Sequence, residues 1–209
     1  METSKRRRNP SSAELRRLVH FEHLQNELEH NGWRATELVL AMEDVARRGM
    51  AMGAAACVPF AIAWLAIWGI QAPSIWQVIA CCVIYLALIA VHEAIHGIAW
   101  AICNPRRFKA IEFGFMLESP TPYCTCVEPM GCTRYVIGAL APLAVLGIAP
   151  AIAGIALGNG VVFVLALLMI LGASGDILVA VELLRHKGTG SEFICVDHPS
   201  ECGLVVFER

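Results

Sequence analysis

Apolar residues along this chain come in blocks rather than in the scattered periodicity of a soluble core. Residues 1–48 are polar and charged, apolar blocks cover 50–71, 75–103, 135–157 and 161–184, and residues 185–209 are again polar. A helix rising 1.5 Å per residue needs about 20 apolar residues to cross roughly 30 Å of hydrocarbon, and each block meets that length. The pattern predicts an all-α polytopic membrane protein of four transmembrane helices.

The intervening segments differ in texture. In residues 109–117, Ile111, Phe113, Phe115 and Leu117 alternate with the opposite face, and Ser119-Pro-Thr-Pro122 then breaks the run before Tyr123–Val127. This predicts a short β-hairpin between spans 2 and 3, whose edge strand could hold an extended peptide. Ser11 with Glu14 fits a capping box, and Leu15, Leu18, Val19 and Leu28 recur near helical spacing until Asn31-Gly32. A second helix is expected over about 35–47, leading into the membrane. Three regions follow: 1–48, a cytoplasmic amphipathic helical N-terminal region; 49–185, the four-span domain; and 186–209, a cytoplasmic C-terminal tail.

Composition agrees with the blocks: 57% of residues are hydrophobic and 16% charged, against about 45–50% and about 25% in soluble domains. The forty or so polar residues that follow Lys5–Arg8 are incompatible with a cleaved secretory signal. Nine Lys and Arg lie in residues 1–48 and four in 104–134, whereas Ala72–Ser74 and Gly158–Gly160 carry none. By the positive-inside rule both termini and the middle loop are expected in the cytoplasm, the hairpin with them. Lys5, Arg6, Arg7, Arg8, Arg16 and Arg17 are expected against anionic headgroups of the lipid bilayer and not on nucleic acid. The nine cysteines lie in or beside spans or in segments expected in the cytoplasm, where free thiols are expected. Pro59, Pro142 and Pro150 fall within spans and can kink them, and Gly49, Gly53, Gly172 and Gly175 permit close helix approach.

The chemistry sits in span 2. His92-Glu93-Ala94-Ile95-His96 sets two imidazoles one turn apart on one helical face, where they can grip one metal ion. Glu93, beside the first, can reach a metal-activated water without ligating. Each ionisable group at mid-span costs on the order of 2.5–3.5 kcal/mol, so three such residues in five positions require compensation, which a metal in a water-filled cavity supplies. A catalytic zinc takes three protein ligands, and depth selects the third. His92 lies about 26 Å along its helix and Asp176 about 22 Å along span 4, both measured from the same side. Glu182 would lie nearly two turns closer to the cytoplasm, as an interfacial charge.

Other metal-capable residues make weaker sets. Cys124, Cys126 and Cys132 lack a fourth ligand for a second site; His20, His23 and His30 lack a completing Cys or acidic group; Asp197-His198 before Pro199 reads as a turn. Ser174, Tyr123 and Arg134 are candidates to stabilise an oxyanion.

Together, His92-Glu-Ala-Ile-His96, the hairpin with Cys124-Thr-Cys-Val-Glu-Pro129, Pro142, Gly175-Asp176, and Asp197-His-Pro199 with Gly203 resemble the membrane family described as putative zincin peptidases. They are also similar to intramembrane zinc proteases of the site-2 protease type. The resemblance implies Zn2+ held by His92, His96 and Asp176, Glu93 as catalytic base, and peptide bonds of a membrane-embedded or membrane-associated substrate as target. One departure stands out: Ala173-Ser-Gly-Asp176-Ile177 replaces the Asn-Pro-Asp-Gly-like stretch of site-2 proteases, so no Asn role carries over. A zinc transporter and a zinc-stabilised scaffold are the alternatives; a single histidine pair and Gly97, where an acidic ligand would help, count against transport. Oligomeric state is not legible.

Overall fold

A computed structural model describes residues 11–116, 121–186 and 188–209. The basic cluster Lys5–Arg8 and the turn of the expected hairpin lie outside these residues. The chain is mostly helical, and among the described residues three helices are long and apolar enough to cross a membrane: Met42–Trp68, Ile75–Cys103 and Cys132–Leu157. A further pair, Gly160–Gly172 and Ser174–Arg185, passes the same test together but is bent by 46°.

The expectation of an all-α chain is corrected by a small antiparallel sheet. Helix α1 (Ser12–His30) starts at the expected capping box and stops at Asn31. The helix expected over 35–47 is instead strand β1 (Arg34–Val39), followed by the short α2 (Met42–Asp44) and a π-turn (Val45–Gly49) that runs into α3 (Met50–Trp68). Helix α4 (Ile75–Cys103) opens on a capping box between Ser74 and Gln77. Strands β2 (Ile111–Met116) and β3 (Thr121–Cys126) pair antiparallel, with Phe113 opposite Cys124. Strand β4 (Met130–Gly131) precedes α5 (Cys132–Pro142), a π-helical stretch (Leu143–Ile148), α6 (Ala149–Leu157), α7 (Gly160–Gly172) and α8 (Ser174–Arg185). The C-terminal tail, expected to be merely polar, forms β5 (Phe193–Asp197) and β6 (Gly203–Glu208).

Among the described residues the strands make two sheets, one of order β1-β6-β5-β4 and one of β2-β3. The first is buried on both faces. Val205 and Phe207 pack under Phe21, Leu24 and Leu28 of α1, while Leu204 and Val206 join Trp100, Tyr135 and Leu183 at the ends of α4, α5 and α8. Double-faced burial explains why Leu204-Val-Val-Phe207 is continuously apolar. The sheet thus caps one end of the membrane helices, and one hydrophobic core crosses that boundary.

Helices approach closely at the bend in the last pair. A Cβ on Gly49 would lie 3.1 Å from the Ser174 carbonyl oxygen, and one on Gly53 would lie 3.1 Å from the Ser174 Cβ. Small residues on α3 therefore admit the bent backbone, as their sequence spacing predicts. Asp176 falls in the first turn of α8, just past this bend.

Candidate metal centre

Span geometry brings His92, His96 and Asp176 together. Nε2 of His92 lies 3.1 Å from Nε2 of His96 and 3.1 Å from Oδ2 of Asp176, and Nε2 of His96 lies 3.5 Å from Oδ1 of Asp176. Metal–ligand bonds of about 2.0–2.1 Å put tetrahedral donors about 3.3 Å apart, so these spacings fit one zinc ion. Among the described residues this is the set of three metal-capable side chains that converges. His92 and His96 are 7% and 4% exposed, whereas the Asp176 side chain is 27% exposed and forms the open side of the cluster.

The tautomer of His96 follows from its neighbours. Its Nδ1 lies 3.0 Å from the Gly138 carbonyl oxygen. A carbonyl can only accept, so Nδ1 carries the proton and Nε2 turns a lone pair toward His92 and Asp176. The ring also stacks on Trp100, 5.1 Å between centroids and 18° between planes. Trp100 in turn donates from Nε1 to the Tyr135 carbonyl at 3.0 Å. Gly138 is required beneath that indole, because a Cβ there would run into the Trp100 ring.

Glu93 is half-buried and close enough to His92, His96 and Asp176 to interact electrostatically with all three. The Cys124 backbone N–H faces its carboxylate. The Val127 N–H donates to the Ala110 carbonyl at 2.9 Å, which makes 110 and 127 a hydrogen-bonded pair. By antiparallel alternation the backbone groups of Cys124 and Cys126 then face away from β2. Cys124 thus turns toward Glu93, and Cys126 donates to Asp197 Oδ2 at 2.7 Å. Strand β3 borders the candidate site along this edge.

Asp197, expected in a turn and within the motif that carries the family resemblance, anchors that edge. Besides Cys126 it accepts from the Thr125 hydroxyl at 3.1 Å and from the Tyr135 hydroxyl. Burial pushes its carboxyl above the usual carboxylate range, against the pull of these hydrogen bonds. The Asp-His-Pro sequence was the available signal. Nothing in the sequence alone marked Trp100 or Tyr135.

Other expected residues fall elsewhere. Ser174 is buried against α3, its hydroxyl 3.6 Å from the Met50 sulfur, and is corrected as an oxyanion candidate. Tyr123 accepts from Arg17 at 2.8 Å, and Arg134 is exposed. Glu182 pairs with Arg48 at the start of the first span. His20 faces Glu128 at 3.5 Å, His30 bonds back to its own helix, and His23 is exposed. Among the described residues, Cys124, Cys126 and Cys132 do not gather as a metal set. His198 accepts from the Glu201 N–H at 2.9 Å and so closes the expected turn.

A helical chain with three or four candidate spans and a buried His, His, Asp cluster beside a glutamate has the make-up of a zinc-dependent membrane peptidase. A family model described as putative zincin peptidase matches residues 85–189, half of the chain, including all four of these residues. The chain belongs to that family. Comparison with curated proteins and with solved structures finds no match.

Proposed function

We propose that the chain is an intramembrane zinc metallopeptidase of the site-2 protease type, which hydrolyses peptide bonds of a membrane-embedded or membrane-associated substrate. The observation that carries this reading is the convergence of three donor atoms at zinc-like spacing inside apolar helices, with Glu93 alongside. Zinc bound by His92, His96 and Asp176 would acidify water and polarise a carbonyl. Glu93 takes a proton from water and returns it to the leaving amine. The Cys124 N–H faces the Glu93 carboxylate and can orient it.

Four crossings with both termini cytoplasmic suit this reading. Strand β1 precedes the first span and β6 follows the last, yet they pair along Arg34–Val39 and Gly203–Glu208. Two paired strands share one side of the membrane, so the crossings between them are even in number. Three straight spans with the bent pair as a fourth would supply that even number.

The test uses purified protein in detergent and a membrane-tethered reporter. Glu93→Gln should keep stoichiometric zinc and lose cleavage, whereas undiminished cleavage would overturn the mechanism. Asp176→Ala should lower zinc occupancy. Zinc uptake into sealed vesicles that survives Glu93→Gln would favour transport instead.

A further inference from the structure

Asp197 lies outside the residues matched by the family and outside the membrane helices, yet it touches both supports of the candidate site. On one side it accepts from Cys126 N–H and the Thr125 hydroxyl and so fixes β3, whose Cys124 N–H faces Glu93. On the other it accepts from the Tyr135 hydroxyl. The Tyr135 carbonyl holds the Trp100 indole, and that indole stacks on His96. One carboxylate on β5 therefore restrains the base through a strand and a metal ligand through two aromatic rings.

We propose that Asp197 is a positioning residue for the zinc site, acting on His96 through Tyr135 and Trp100 and on Glu93 through β3. The proposal rests on the zinc-peptidase reading above for its catalytic half, but its metal-binding half stands on the His96 contacts alone. Partners beyond the ligands hold an imidazole in one orientation, and a ring free to rock loses part of its metal affinity. The donor set around Asp197 is built for this: a backbone N–H, a threonine hydroxyl and a phenol converge on the two oxygens of one carboxylate.

The experiment compares Asp197→Asn and Tyr135→Phe with the parent chain in detergent. Tyr135→Phe keeps the ring and its carbonyl and removes only the hydroxyl, so it guards against a failure of Asp197→Asn to fold. Zinc affinity is read by competition with a chelator, ligand geometry by the visible spectrum of the cobalt-substituted protein, and cleavage by kcat and KM on the tethered reporter. Both variants should weaken zinc affinity about tenfold, alter the cobalt spectrum, and lower kcat by about 10–100-fold with KM little changed. Parental zinc affinity and an unchanged cobalt spectrum in both variants would overturn the proposal. A parent chain that binds zinc but cleaves nothing would overturn the peptidase reading and leave the affinity and spectral comparison to decide the role of Asp197.

Discussion

Pro142 and His96 are coupled through a single carbonyl. Pro142 has no N–H, so the Gly138 carbonyl four residues earlier lacks its helical donor. His96 supplies that donor from Nδ1 at 3.0 Å, which leaves Nε2 free to face His92 and Asp176. A helix defect on α5 thereby sets the tautomer of a candidate metal ligand on α4.

Restoring the missing N–H tests this coupling. Pro142→Ala gives the Gly138 carbonyl a competing donor, although its two lone pairs allow sharing. Zinc affinity should weaken by about tenfold, the low end for a lost supporting contact, while the helix itself is no less stable. Chelator competition and thermal unfolding in detergent measure the two effects separately.

Arg17 ties α1 to the strands beside the site. It donates to the Tyr123 hydroxyl at 2.8 Å and to the Pro199 carbonyl at 3.2 Å, lies 5.2 Å from the centre of the Tyr123 ring, and pairs with Glu112 at 3.7 Å. Arg17→Ala should cost about 2 kcal/mol of stability and leave zinc content unchanged. Hydrogen exchange in 121–126 should quicken, and KM should rise more than kcat falls.

Stability carries a pH signature from Asp197. Burial raises its carboxyl above the unfolded value, so the folded state favours the protonated form. That contribution is complete below about pH 4 and is lost as pH rises through the folded value. Measured against the parent between about pH 4 and 7, Asp197→Asn should gain relative stability with rising pH.

The thiols near the site should be inert. Burial pushes the Cys126 thiol up to about 12 and that of Cys124 up as well, while at Cys195 the hydrogen bond that its thiol donates to Cys132 and then burial do the same. Thiolates are the reactive form, so these three should resist maleimide at neutral pH until the protein is unfolded. Mass spectrometry before and after denaturation reads this directly.

The proximity of His92, His96 and Asp176 was legible because helical rise alone sets depth along a span. The span positions were legible for the same reason, from the length of the apolar blocks. The cap was not. Strand β1 reads as a helix because its pairing partner lies at the far end of the chain, and Leu204-Val-Val-Phe207 is too short to separate strand from helix by periodicity. The bend at Ala173 and the Trp100, Tyr135 and Asp197 contacts depend on packing between distant segments, which no local pattern encodes.

The pairing of β1 with β6 also imposes an order on biosynthesis. Strand β1 leaves the ribosome before any span, and it waits unpaired until the last span has been made. Asp197 emerges only then, on β5. A nascent chain can hold His92, His96 and Asp176 in the bilayer while β3 and Tyr135 are still unfastened. The fastening of β3 and Tyr135 by Asp197 therefore comes late, with the strands that follow the membrane segments.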